Sequence, residues 1–358
     1  MKYVDEYRRP EALQALARSV REMGVKGARV MEVCGTHTMA AARFGLRGLL
    51  GDAATLSSGP GCPVCVTAQS DIDLFLEMGR LPQVTLASFG DMLRVPGTRS
   101  SLERERARGA QVEVVYSPMD ALALAQHGDR QVVFFAVGFE TTAPGVAVTL
   151  MEARRRSVGN FSVLCAHKTM PAALEKLASS KLKLDGLMLP GHVSTIIGAK
   201  AYEFLPERHG IACVVSGFEP TDMLQSVKML LEQVIAGKKR VDVQYSRAVS
   251  RDGNRAAQQI MGTVFEPCDV EWRGLGVIHG SGLRLKEEWA DLDARSRFQV
   301  AVPRSREPPG CRCGQVLAGE AEPPDCELFG NACTPEHPVG ACMVSSEGTC
   351  AAWYRYRQ

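Results

Sequence analysis

The chain has 358 residues, 45% of them hydrophobic and 23% charged, with a formal net charge of +2. That length predicts more than one core, and that balance is the composition of a globular protein. The basic residues are dispersed and alternate with acids, as in Arg104-Glu105-Arg106. The pattern excludes a nucleic-acid stripe, and no run of about 18 apolar residues predicts a membrane span. The first ten residues are charged throughout and contain no apolar signal core, so a cytoplasmic location is expected. In a reducing compartment, 12 cysteines are expected as metal ligands or catalytic thiols, not structural bridges.

Residues 11–24 carry Leu13, Leu16, Ala17, Val20 and Met23 at helical spacing, which predicts an amphipathic helix. A strand–loop–helix alternation then begins. Apolar runs start near Ala28, Ala54, Gln83 and Gln111, and a second set starts near Gln131, Phe161, Leu184 and Ile211. The alternation predicts an α/β fold of parallel sheets with right-handed crossovers. Two similar α/β domains are expected, over residues 1–128 and 129–240, with one larger sheet as the alternative. From 241 to 358 the pattern changes. A helix is expected over 254–262, followed by a Gly-rich stretch from Trp272 to Ile278. Pro303, Pro308-Pro309-Gly310 and Pro323-Pro324 then break regular structure around a run of cysteines. A smaller third domain is expected there.

Polar and small residues follow each strand, where open parallel sheets bind ligands. Cys34 and His37 follow the first strand, and this pair suits a borderline metal such as iron or simple core packing. Cys62 and Cys65 form a C-x-x-C motif after Gly59-Pro60-Gly61 and before a helix expected over Gln69–Met78. A thiol near a helix N-terminus is acidified, so a redox or metal-linked pair is favoured over half a zinc site. Glu140, His167, Lys168, His192 and Glu219 occupy comparable loops, and Gly-Phe-Glu occurs at both 138 and 217. Cys165 and Cys213 fall within apolar strands and are expected in the core. No phosphate loop or dinucleotide fingerprint is present.

The last 48 residues hold Cys311, Cys313, Cys326, Cys333, Cys342 and Cys350. They lack the paired knuckles of structural zinc sites. Six thiols among Pro and Gly suit a four-thiolate iron–sulfur cluster, with zinc or free thiols as alternatives.

The segments MEVCGTHTMA (31–40), SSGPGCPVC (57–65), VGFETTAP (137–144), PGHVSTIIG (190–198), SGFEPTDML (216–224) and the cysteine-rich 326–356 resemble the hydrogenase maturation factor HypD family. The resemblance runs from about residue 30 to the C-terminus. It implies two α/β domains plus a domain carrying a [4Fe–4S] cluster. It also implies a scaffold that, with the small chaperone HypC, holds iron while two cyanides and one carbon monoxide are added. Cyanide would come from HypE, and the product would pass to the large subunit of a [NiFe]-hydrogenase. Carried over by motif, Cys34 would bind that iron, His37 would ligate or orient it, and Cys62/Cys65 would be the redox pair. A further similarity, to ferredoxin:thioredoxin reductase, implies Cys311, Cys326, Cys333 and Cys342 as cluster ligands and Cys313/Cys350 as an extra pair. The alternative function is a free-standing iron–sulfur thiol–disulfide oxidoreductase. A zinc-bound interaction module is the third reading.

Overall fold

The computed structural model describes residues 5–180, 182–302 and 304–356. The expected break at Pro303 and the charge of residues 1–4 lie outside the described residues. All eight expected strands form: β1 (Ala28–Glu32), β2 (Ala54–Ser58), β3 (Val84–Ser88), β4 (Gln111–Val114), β5 (Gln131–Ala136), β6 (Phe161–Cys165), β7 (Gly186–Pro190) and β8 (Ala212–Ser216). Three more follow, β9 (Val241–Val243), β10 (Phe265–Trp272) and β11 (Gly276–Leu285). β3, β7 and β8 are buried along their whole length. This is why they read as unbroken apolar runs and not as an alternation.

The sheets do not follow chain order. One parallel sheet has the order β2-β1-β7-β8-β9, and the other β4-β3-β5-β6. The chain lays down β1 and β2, leaves to build the entire second sheet, and returns to pair β7 with β1. The register there sets Val30 opposite Gly186 and Glu32 opposite Met188. A division at residue 128 therefore cuts through both sheets. The strands are the expected ones, but the grouping into first four and last four is corrected by pairing between distant segments.

Each sheet has a point where the crossovers reverse direction, between β1 and β7 in one and between β3 and β5 in the other. Such switch points open a crevice at the strands' carboxyl ends. β10 and β11 form an antiparallel hairpin with a bulge between Cys268 and Val270. The Gly-rich stretch supplies its turn, with Gly274 and Gly276 at φ 74° and 72°. The hairpin bridges to Thr67 at Trp272 and to Lys168 at Gly282. The expected helices appear as Pro10–Arg21 and Arg255–Val264. The C-terminal segment shares its interior with the rest, because Cys313, Leu317, Ala341 and Cys342 belong to the same buried cluster as Met31, Phe75 and Leu187. No helix among the described residues is long and apolar enough to cross a membrane.

Candidate functional site

Cys34 lies just beyond β1 and is the N-cap of the helix Gly35–Arg43. The loop after β2 lies directly against it: the Gly35 N–H donates to the Gly61 carbonyl at 3.2 Å. Gly61 is required by this approach, since a Cβ there would stand 2.3 Å from the Val33 carbonyl and 2.4 Å from the Cys34 Cα. The next residue is Cys62, disulfide-bonded to Cys65 with a Cα–Cα distance of 5.2 Å. Cys62 caps a short helix, Pro63–Val66, that precedes Gln69–Met78, and its Sγ accepts from the Cys65 N–H at 3.2 Å. The C-x-x-C motif thus has its own turn of helix and does not abut the longer one.

Cys34 opens onto a cavity of about 350 Å³ between the two switch points. Gly61 and Pro63 line it from the β2 loop, Pro190 and His192 from the β7 loop, and Phe139 and Thr141 from the β5 loop. Glu347 closes it from the C-terminal segment, where its carboxylate accepts from the Thr36 hydroxyl. Burial pushes the Cys34 thiol up to about 12, and the neighbouring Glu347 charge pushes the same way. The thiol is therefore protonated unless a cation takes the proton's place. Burial also raises the Glu347 carboxyl.

His37 does not line this cavity. It is buried, its Nε2 lies 3.0 Å from the Gly217 carbonyl, and its ring stacks on Phe218. Burial lowers its pKa to about 4, so the imidazole is neutral and Nε2 is the donor. Phe218 also stacks on His192 at 3.8 Å between centroids, which links the buried histidine to the one at the cavity wall. The two Gly-Phe-Glu repeats diverge in use. Phe139 lines the cavity, while Phe218 supports the two histidines. Glu140 is buried and accepts from the Met170 N–H at 2.9 Å, and Glu219 pairs with Arg8. His167 is buried beside Cys165, with Nδ1 3.3 Å from its Sγ. Lys168 is buried over the Trp272 ring, 4.0 Å from Asp71. Cys213 is core as expected, whereas Cys165 is half-buried and donates to the Leu283 carbonyl.

The C-terminal segment covers this region. Its helix Ala341–Val344 packs on Pro63–Val66, and its last helix, Thr349–Tyr356, packs on Gly35–Arg43. Its six thiols adjoin one another: Cys311 contacts Cys313, Cys342 contacts both Cys313 and Cys350, and Cys333 is influenced by Cys350 and Cys326. Cys313 and Cys342 stand closest, with Sγ atoms 2.7 Å apart. All six tail cysteines are free thiols in this structure. Spacing in the chain carries no pairing information, since six cysteines permit 15 connectivities. The Cys313 thiol is held well below the usual range by Cys311 and Cys342, with the Arg273 charge adding to the effect. No three His, Cys, Asp or Glu side chains among the described residues gather tightly enough for a single metal ion.

Glu347 is the functional candidate that sequence reasoning missed. It lies 311 positions from Thr36, in a segment whose cysteines draw the attention. His192 was legible only as one of several loop histidines.

A family model described as HypD, hydrogenase formation hypA family, matches residues 11–357. The hydrogenase maturation factor HypD of Escherichia coli is 47% identical over 370 residues, covering 100% of this chain and 99% of that one. The factor of the same name from Azotobacter vinelandii is 46% identical, with 99% and 97% covered. That of Rhizobium leguminosarum is 44% identical, with 99% and 96% covered.

Proposed function

The chain belongs to the HypD family, and we propose that within hydrogenase maturation it is the scaffold on which iron receives its cyanide and carbon monoxide ligands. One observation carries this reading: Cys34 and the Cys62–Cys65 pair share adjoining loops, with Cys34 opening onto the cavity between the switch points. Iron is the cargo. Cys34 is its protein ligand here, and a HypC-type chaperone supplies the complementary side. Besides Cys34, the ionisable side chains that line the cavity are those of His192 and Glu347 rather than His37.

Cyanide delivered as a thiocyanate on HypE leaves its sulfur only with two electrons, giving a thiolate and cyanide. A dithiol supplies that number as it closes to a disulfide. Cys62 and Cys65 lie beside Cys34, and closing their disulfide would give up those two electrons. Their burial, at 3% and 0% exposure, leaves no room for a folded protein disulfide to reach them. That weighs against the free-standing oxidoreductase.

The tail fits a [4Fe–4S] cluster in its donor set. Four of its six adjoining thiols would hold it, Cys311, Cys326, Cys333 and Cys342 by the similarity to ferredoxin:thioredoxin reductase. Buried Arg273, with both terminal nitrogens lacking a hydrogen-bond partner among the described residues, answers the negative charge of such a group. When bound, the cluster supplies single electrons.

The test is infrared spectroscopy of the anaerobically prepared complex with HypC. A Cys34→Ala variant is expected to keep four tail irons per chain, the number in a [4Fe–4S] cluster, while losing the additional iron and its cyanide and carbonyl bands. Bands that persist in the variant refute the role of Cys34, and zinc in place of tail iron refutes the cluster.

A further inference from the structure

A cleft of about 660 Å³ lies between the β3–β4 connection and the tail, and it shares no lining residue with the Cys34 cavity. Arg94, Arg99, Arg104 and Arg306 line it. Arg94 ties the two walls together, donating through Nη2 to the Pro335 and Glu336 carbonyls at 2.6 and 2.8 Å. The side chains of Arg99, Arg104 and Arg306 are exposed and make no hydrogen bond or ion pair among the described residues. Three carboxylates share the lining, and each is engaged. Glu103 stands 4.0 Å from Arg94, Glu307 accepts from the Gly274 N–H at 3.1 Å, and Glu336 accepts from its own N–H and the Thr334 hydroxyl. The three open guanidinium groups give the cleft its surplus positive charge.

The cleft wall runs directly into the cysteines. Val339 lines it and donates its N–H to the Cys333 Sγ at 3.3 Å. Pro308 lines it and accepts from the Cys311 N–H at 3.2 Å. Gly340 follows Val339, and a Cβ there would stand 2.7 Å from the Cys311 Sγ. Elsewhere the tail packs through Ala341–Val344 on Pro63–Val66, the helix of the C-x-x-C pair. The tail thus joins this cleft to Cys62 and Cys65.

A dithiol that has given up two electrons must regain them from outside the chain. Burial of Cys62 and Cys65 bars a donor protein from reaching them directly. The tail is more accessible, and Cys311 is half-buried beside the cleft. We propose that the cleft is the docking site of the electron donor, a small acidic protein that carries one electron. The proposal rests on the reading of the tail as cluster-bearing. Two reduced carriers in turn are each oxidised by one electron. With two protons from solvent, those electrons open the Cys62–Cys65 bond to two thiols. The chemistry of the cleft selects this partner. Open guanidinium forks meet carboxylates bidentately and steer an acidic surface from a distance. The carrier must dock, discharge and leave twice per disulfide, which suits a small contact of under about 1,200 Å² held by rim charges.

The experiment uses the anaerobically prepared full-length protein and an acidic plant-type [2Fe–2S] ferredoxin as probe, with a potential of about −400 mV. Metal analysis comes first. Tail iron in parent and variants satisfies the reading on which the proposal rests, and zinc in its place refutes that reading and the proposal with it. Calorimetry with both proteins oxidised then reads binding without turnover. Arg99→Gln/Arg104→Gln/Arg306→Gln is expected to weaken the Kd about tenfold at low salt. The parent Kd is expected to weaken by a similar factor as salt rises from about 50 to about 300 mM. Lys26→Gln/Lys200→Gln/Lys238→Gln makes the same charge change at exposed positions that do not line the cleft, and stays within about threefold of the parent. Stopped-flow mixing with reduced ferredoxin is expected to rank the proteins in the same order by the rate at which the tail absorbance bleaches. With tail iron in place, no binding by the parent, equal weakening in the two triple variants, or an affinity indifferent to salt overturns the proposal. Arg99→Glu, a single change at an exposed position, makes the comparison on its own if the triple variant does not fold. A loss of less than about threefold there overturns the proposal as well.

Discussion

Burial decides the charge state of most polar residues near the cleft, and Glu140 is the clearest case. It follows β5 with one oxygen satisfied by the Met170 N–H and the other without a partner among the described residues. Burial raises its pKa to about 7, against 4.5 ordinarily. The folded protein therefore holds a proton there that the unfolded chain has lost between about pH 4.5 and 7. Stability contributed at Glu140 is full below that window and declines as the pH rises through it. A difference of this size is worth about 3 kcal/mol at most. Glu140→Gln, which keeps the acceptor for Met170, is expected to flatten the decline in urea-unfolding free energy from pH 5 to 7.5. His167 has the opposite sign. Burial lowers its pKa to about 3, so its contribution is present above about pH 6.5 and is lost as the pH falls toward 3. His167→Gln is expected to flatten the acid limb of the same profile. An unchanged profile in either variant shows that the residue does not titrate as its burial requires. Cys34, Cys62 and Cys65 were legible from motif and position. The orientation of His37 toward Gly217 was not, because a helical histidine three residues after a cysteine gives no sign of which side its ring takes.

At the scale of elements, the site depends on loops brought to backbone contact, and glycines mark where. Gly61→Ala forces the C-x-x-C loop away from Cys34, since the Val33 carbonyl and the Cys34 backbone occupy the space. The expected cost is about 1–3 kcal/mol. Gly145, in the helix Ala143–Arg155, has nothing within 4 Å of its would-be Cβ. Gly145→Ala is expected to gain about 0.5–1 kcal/mol from helix propensity. Paired thermal unfolding curves check both: a lowered midpoint for the first and a raised one for the second. Equal shifts would mean that the loop contact is not under steric constraint. Gly61 stands out in sequence only as part of Gly-Pro-Gly, which reads as a turn. The partner that makes the glycine necessary comes from the loop after β1, and no local pattern announces it. Strands were easier. β5, β6, β7 and β8 are rich in apolar residues, a signal contained within the strand. The tail lies between these cases. Its cysteines announce their chemistry, but the approach of Cys313 to Cys342, 29 positions away, is not encoded in their spacing.

The whole molecule is interleaved, and this has a consequence for how it can be divided. Residues 1–128 contain β1, β2, β3 and β4, two strands of each sheet. Their central partners, β7 and β5, lie beyond the cut. An isolated two-stranded sheet is marginal at best in water. A fragment ending at Gly128 is therefore expected to show no cooperative thermal transition by circular dichroism. The fragment 129–358 lacks the same pairings and is expected to fail alone. Gly128, Asp129 and Arg130 are exposed, and a break in an exposed tip is tolerated when the surrounding contacts are intact. The two fragments coexpressed are expected to recombine into a 1:1 complex with one cooperative transition. A cooperative transition for residues 1–128 alone would show that the first four strands can pair among themselves, as their chain order suggests. The same interleaving accounts for the position of the site. Cys34 and Gly61 come from before the cut, and Phe139, His192 and Glu347 from after it. The cavity exists only when both sheets are complete, so loss of either fragment removes the cavity along with the fold.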